Sequence, residues 1–114
     1  MERRWPSGCA ITGNFLMKLS SMKKKSGLAA RLLKMLSNQT RLLIVCRLTE
    51  GEASVGELAD MLEMRPSTVS QHLQVLRLGK VVKTRRDAQT IYYTLDNNAA
   101  SDVVRTLYKG FCQK

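Results

Sequence analysis

Three cysteines, Cys9, Cys46 and Cys112, and a single histidine, His72, are the side chains of this 114-residue chain best suited to nucleophilic or soft-metal chemistry. A thiolate attacks disulfides, persulfides and peroxides. A lone imidazole does much less, because general acid–base work needs a second group, and no paired carboxylates or glycine-rich phosphate loop accompany it. Catalysis is not expected, and no catalytic residue or cofactor is assigned. Beside the apolar stripe of its segment, His72 reads as a packed or backbone-bonding residue rather than a ligand.

A second chemistry, hydrogen bonding and cation placement, runs from Arg65 to Leu95. On a helix that begins at Pro66, Val69, Leu73 and Leu76 recur at i, i+4 and i+7 and make one apolar stripe for the core. Ser67, Ser70, Gln71 and Gln74 then project from the other side, with Arg65 and Thr68 at the helix start. Short hydrogen-bonding side chains without carboxylates suit the base edges of a major groove. Next comes a strand, Val81 to Arg86, then a turn at Asp87-Ala88-Gln89, then Ile91-Tyr92-Tyr93-Thr94-Leu95. That hairpin carries Lys83, Arg85, Arg86 and Gln89 towards its tip, where cations seek phosphates. Taken singly, the helix face is a solvated surface and the turn an exposed loop. Together, and in this order, they are the parts of a winged helix that reads double-stranded DNA.

The elements that position these residues follow from periodicity and caps. Residues 1 to about 13, with Pro6, Gly8 and Gly13, read as an irregular basic arm. Leu28, Leu32, Leu33 and Leu36 fit a helical stripe, in a helix that starts as early as Asn14 and ends near Ser37-Asn38. A second helix runs from Gln39 to Glu50, where Gly51 stops it. Ser54-Val55-Gly56-Glu57 is a capping box opening a third helix, and a sharp turn at Met64-Arg65 leads into Pro66, well placed as a first helical residue. Asn97-Asn98 caps a last helix carrying Val103, Val104, Leu107, Tyr108 and Phe111. The expected fold is mainly α with a small β-hairpin, a winged helix-turn-helix in the order ααααββα. Residues 1–25 are the expected arm, running into the first helix, and 26–114 the domain.

The chain's net charge of +10 favours a polyanionic partner. Residues 1–26 hold six Lys/Arg against one Glu, which leaves +5 for the remainder, so an anionic membrane surface or a protein partner competes with nucleic acid on charge alone. Five of the nine acids lie between Glu50 and Glu63, whereas Arg65 to Arg86 holds six cations and no acid. An acidic shoulder is thus expected apart from the DNA side. No apolar run approaches the ~20 residues needed to cross a bilayer, and none precedes Cys9 as a lipoprotein signal would require. A cytoplasmic protein is expected, with no membrane partner and, from the odd cysteine count, no standing disulfide. The core is thin for a monomer of this length, and dimerisation would supply the missing burial.

The segments Ser37-Asn38-Gln39-Thr40-Arg41-Leu42-Leu43-Ile44, Ser54-Val55-Gly56-Glu57-Leu58-Ala59, Ser67-Thr68-Val69-Ser70-Gln71-His72-Leu73 and Arg85-Arg86-Asp87-Ala88-Gln89 resemble the ArsR/SmtB family of bacterial repressors. The resemblance covers about residues 28 to 112 and implies a homodimeric winged helix joined through the first and last helices. It departs from the family where a small capping hydroxyl and a strand-entrance glycine are usual, since Arg65 and Lys80 stand there. Gly79 is expected to take the left-handed helix-end conformation instead, making Lys80 an extra phosphate contact. Metal-sensing members carry Cys-x-Cys-type ligands in the third helix, or Asp and His in the last. Here the third helix has no cysteine, and Asp96 and Asp102 have no histidine nearby, so no metal is assigned.

Read alone, Cys46 in LLIVCRL is a buried small hydrophobe, and Cys112 is either functional or incidental. Within the family resemblance, Cys46 and Cys112 look like the thiol pair of the sulfide- and redox-sensing branch. That branch implies bridging by reactive sulfur species or oxidants and a loss of operator affinity. Arg47 and Lys109, beside the two cysteines in sequence, would favour thiolates. Cys9 is either incidental or a resolving thiol.

Overall fold

The computed structural model describes residues 18–113. In chain order these form α1 (Leu19–Leu36), α2 (Gln39–Leu48), β1 (Ala53–Ser54), α3 (Val55–Leu62), α4 (Pro66–Leu78), β2 (Val82–Asp87), β3 (Thr90–Leu95) and α5 (Asn98–Phe111). The expected order of helices and hairpin holds, with one addition. The two-residue strand β1 pairs antiparallel with β3, giving a three-stranded sheet in the order β1-β3-β2. Cys9 and the start of the arm lie outside the described residues, and the expected 25/26 boundary falls inside α1.

Caps fix where the helices begin. Asn38 accepts the Arg41 N–H at 3.1 Å and Asn97 accepts the Ala100 N–H at 3.2 Å, each satisfying a donor that the first turn leaves unpaired. Ser54 Oγ accepts the Glu57 N–H at 3.2 Å while Glu57 Oε1 accepts the Ser54 N–H at 2.9 Å, the reciprocal pair of a capping box. At α4 Arg65 makes no side-chain cap, and Pro66 at the first helical position has no N–H to leave unpaired. The stripe Val69, Leu73 and Leu76 is fully buried, against Ile44, Val45, Leu58 and Val81.

Two reversals use strained backbone. Between α3 and α4 it is Glu63, at φ 55° and ψ 48°, that takes the left-handed conformation, one residue before the expected turn. After α4 the left-handed residue is Lys80 (φ 62°), not Gly79, whose φ is −82°. The Lys80 N–H donates to the Arg77 carbonyl and the Val81 N–H to the Leu76 carbonyl, so the helix-end hydrogen bonds form with a lysine in the glycine-favouring place. A Cβ at 79 would meet the end of the Met35 side chain, which would have to shift to admit it.

The α1 stripe is only partly used within the protomer. Met35 and Leu36 are buried, but Leu28 and Leu33 are 58% and 55% exposed. On α5 Val104 is buried, whereas Tyr108 and Phe111 are exposed, Phe111 by 77%.

Candidate nucleic-acid interface and thiol pair

Pro66 starts α4 so that its outward side carries Ser67, Ser70, Gln71 and Gln74, all exposed, with Arg65 exposed just before it. Thr68 is half-buried, turned partly towards the core. His72 is also half-buried, and its partner is a side chain rather than the backbone. Arg41 Nη1 lies 3.4 Å from His72 Nδ1, and since a guanidinium only donates, Nδ1 is the accepting nitrogen. Arg41 Nε also donates to the Met35 carbonyl at 2.8 Å, so one guanidinium ties the end of α1 to the middle of the reading helix.

The strands β2 and β3 form a hairpin closed by Ala88 and Gln89, with Asp87 opposite Thr90. Of the two turn residues only Ala88 has positive φ (58°), the sign pattern of a type II′ turn. The hairpin's cations are held unequally. Lys83 Nζ lies 4.0 Å from Asp96, and Arg86 Nε donates to the Ala88 carbonyl at 3.2 Å, stiffening the tip. Arg85 is committed: Nη2 and Nε donate to the two carboxylate oxygens of Glu52 at 2.6 and 3.1 Å, and the guanidinium lies 4.8 Å from the Tyr92 ring centroid. The Glu52 carboxyl is held below the usual range, first by that hydrogen bond. The acidic shoulder is therefore not separate from the DNA side, because one of its acids reaches the wing.

The helices α2 and α5 pack together and bring the two cysteines into one neighbourhood. Cys46 is half-buried; Cys112, an exposed free thiol like Cys46 in its bonding, closes the end of α5 with its N–H donating to the Tyr108 carbonyl at 2.8 Å. Burial raises the Cys46 thiol above its ordinary range, and negative charge on Cys112 and on Glu50 raises it further. The activation expected from Arg47 and Lys109 is thus outweighed. Arg47 Nη1 turns away, donating to the Gly51 carbonyl at 3.2 Å. Cys46 also lines an open cavity of about 860 Å³ walled by Leu43, Met61, Leu62, Val104 and Tyr108. Among the described residues no group of three or more His, Cys, Asp or Glu side chains is placed to hold a metal ion.

Comparison with known proteins decides the family. The profile of the bacterial regulatory protein, arsR family, matches residues 38–78, from the cap of α2 to the end of α4. The transcriptional activator HlyU of Vibrio cholerae is 43% identical over 97 residues, 85% of this chain and 90% of that protein. Its structure in the reduced form superimposes with a TM-score of 0.77, covering 83% of this chain and all of the other. The biofilm growth-associated repressor of Xylella fastidiosa is 44% identical over 96 residues, 84% of each chain. The chain belongs to the ArsR family.

The crystal structure of that Xylella repressor superimposes with a TM-score of 0.80 at 43% identity, covering 86% of this chain and all of the other. A possible ArsR-family regulator from Mycobacterium bovis, 27% identical, matches with a TM-score of 0.67 over 81% of this chain and 85% of its own. It is described as a homodimeric winged helix-turn-helix DNA-binding domain. As an ArsR-family member this protein is a DNA-binding transcriptional regulator with a winged helix-turn-helix fold, and its relatives are named as regulators, not enzymes. No helix among the described residues is long and apolar enough to cross a membrane. Sequence reasoning missed Glu52, Glu50 and Arg41 as parts of the site. Only Glu50 and Arg41 carried a local signal, one four residues from Cys46 on a helix and the other in a segment already singled out.

Proposed function

We propose that this ArsR-family regulator is a homodimeric repressor that binds an imperfect palindromic operator and releases it when Cys46 and Cys112 are bridged. Its reading helices would enter successive major grooves about one DNA turn, roughly 34 Å, apart. Ser67, Ser70, Gln71 and Gln74, with Arg65 and Thr68, would meet base edges and nearby phosphates, and Lys83, Arg85, Arg86 and Gln89 the flanking backbone. Residues 26–114 would be the unit that dimerises and reads DNA, working in the cytoplasm.

The observation that supports the thiol reading is that α2, which carries Cys46, packs against α5, which Cys112 closes, with both cysteines free. With a peroxide, two thiols give up two electrons and two protons, forming a disulfide and, from hydrogen peroxide, two waters. With an organic persulfide, one thiolate takes the outer sulfur and releases an organic thiolate. The second then attacks the inner sulfur of the new cysteine persulfide, forming the disulfide and expelling hydrosulfide. Either product ties the turn carrying Cys46 to the end of α5. Operator affinity falls only if the bridge favours a non-binding arrangement, and about 2 to 3 kcal/mol of such preference would lower it roughly 30- to 150-fold.

The test is operator binding before and after polysulfide or peroxide treatment, with mass spectrometry of the bridged peptide. Cys46→Ser/Cys112→Ser protein should keep full affinity after treatment. Equal loss in parent and variant would exclude the switch. A second reading, regulation without thiol sensing or by displacing another DNA-binding protein, is favoured by the name of the Vibrio relative, an activator. It is supported if the parent binds equally well before and after treatment.

A further inference from the structure

One arginine of the hairpin is already held by a carboxylate of the same chain. In the sheet order β1-β3-β2, Ser54 of β1 lies opposite Tyr92 of β3, and Tyr92 lies opposite Arg85 of β2. Glu52 lies immediately before β1. From there its carboxylate takes Arg85 Nε and Nη2 together while the guanidinium rests over the Tyr92 ring. Carboxylate and phosphate both accept from that edge of an arginine in the same two-pronged way. An Arg85 held like this is neutralised by one carboxylate and lacks one of its two bidentate edges. Among the described residues Lys83 and Arg86 have no two-pronged carboxylate partner: Lys83 makes one contact with Asp96 at 4.0 Å, and Arg86 donates to the Ala88 carbonyl.

We infer that Glu52 competes with DNA phosphate for Arg85, so that binding requires the guanidinium to exchange one for the other. Glu52 is a positioning residue that acts through Arg85. The exchange has room to occur, because both side chains are substantially exposed and the segment before Glu52 turns on Gly51, whose φ of 140° few other residues adopt. The inference rests on the reading of Arg85 as a phosphate contact, and the experiment separates the two.

Binding of a short random-sequence duplex is measured by fluorescence anisotropy across a salt series, for the full chain and its variants. Arg85→Ala should make the slope of log K against log salt less negative by roughly 0.9, the loss of one phosphate contact. An unchanged slope overturns the contact and the competition together. Glu52→Gln should raise affinity at low salt roughly two- to fivefold, the range spanned by exposed ion pairs. The charge-matched Asp60→Asn should give less. In the Arg85→Ala background the Glu52→Gln gain should shrink to that of Asp60→Asn. If Glu52→Gln weakens binding, or if its gain persists undiminished without Arg85, competition is wrong even where the Arg85 contact stands. Thermal unfolding of each variant separates binding changes from loss of fold.

Discussion

Lys80 holds its backbone in a conformation that an L side chain disfavours, because it occupies the left-handed position of the helix end while Gly79 stands one residue earlier at φ −82°. Lys80→Gly should therefore stabilise the fold by about 1 kcal/mol, the left-handed penalty less the added chain entropy of glycine, read as a higher urea midpoint at constant m. Gly79→Ala should cost up to about 1 kcal/mol as the flexible end of Met35 shifts, and less in a Met35→Ala background, where the overlapping atoms are gone. Equal costs in both backgrounds would contradict that packing. At Cys46 the residue environment sets reactivity. Burial, then the Cys112 thiolate, then Glu50, raise its thiol, so its thiolate forms at higher pH than that of an ordinary cysteine. Alkylation of Cys46 by iodoacetamide should accordingly still be rising at pH values where a free thiol has levelled off. Glu50→Gln should speed it at fixed neutral pH by removing one opposing charge. A rate that Glu50→Gln leaves unchanged would show that Glu50 does not act on the thiol.

At the scale of elements, the proposed function assigns sequence reading to α4 and phosphate contact to the hairpin. Replacing Ser67 and Gln71 by Ala should weaken binding to a selected operator far more than to random duplex, because base-edge contacts carry the discrimination. Arg86→Ala should weaken both and reduce the salt slope by roughly 0.9. Equal losses on the two duplexes from the helix substitutions would remove α4 from base reading. These elements were legible in sequence because their signals are local: an i, i+4, i+7 stripe after Pro66, a capping box at Ser54 and Glu57, and a strand-forming Ile-Tyr-Tyr-Thr-Leu run after the turn. What was illegible depends on tertiary placement. The strand β1 has only two residues and exists through its pairing with Tyr92 and Tyr93. Glu52 and Arg85 are 33 positions apart and meet only because β1 joins the wing's sheet. The cations beside Cys46 and Cys112 in sequence suggested activated thiols, but the helix turns Arg47 towards the Gly51 carbonyl and burial dominates.

For the whole molecule, the first and last helices, α1 and α5, leave apolar surface exposed among the described residues. Leu28 and Leu33 on α1 and Phe111 on α5 are each more than half exposed, although they continue stripes whose other members, Leu36 and Val104, are buried. Burying these side chains against a second copy would make each worth roughly 1.5 to 3 kcal/mol. In a two-fold dimer a single substitution acts twice, so Leu33→Glu should weaken dimerisation by roughly two to four orders of magnitude. Leu78→Glu, an exposed leucine at the end of α4, serves as the control and should leave dimerisation intact. Sedimentation at micromolar concentration should give a dimer for the parent and the control and a monomer for Leu33→Glu. The parent's melting temperature should also rise with protein concentration, since the folded state is then linked to association. Operator binding by Leu33→Glu should fall towards the parent's random-duplex level, because one reading head cannot span two half-sites. If Leu33→Glu remains a dimer with unchanged operator affinity, the exposed stripe of α1 is not the interface and the reading heads are spaced by some other contact.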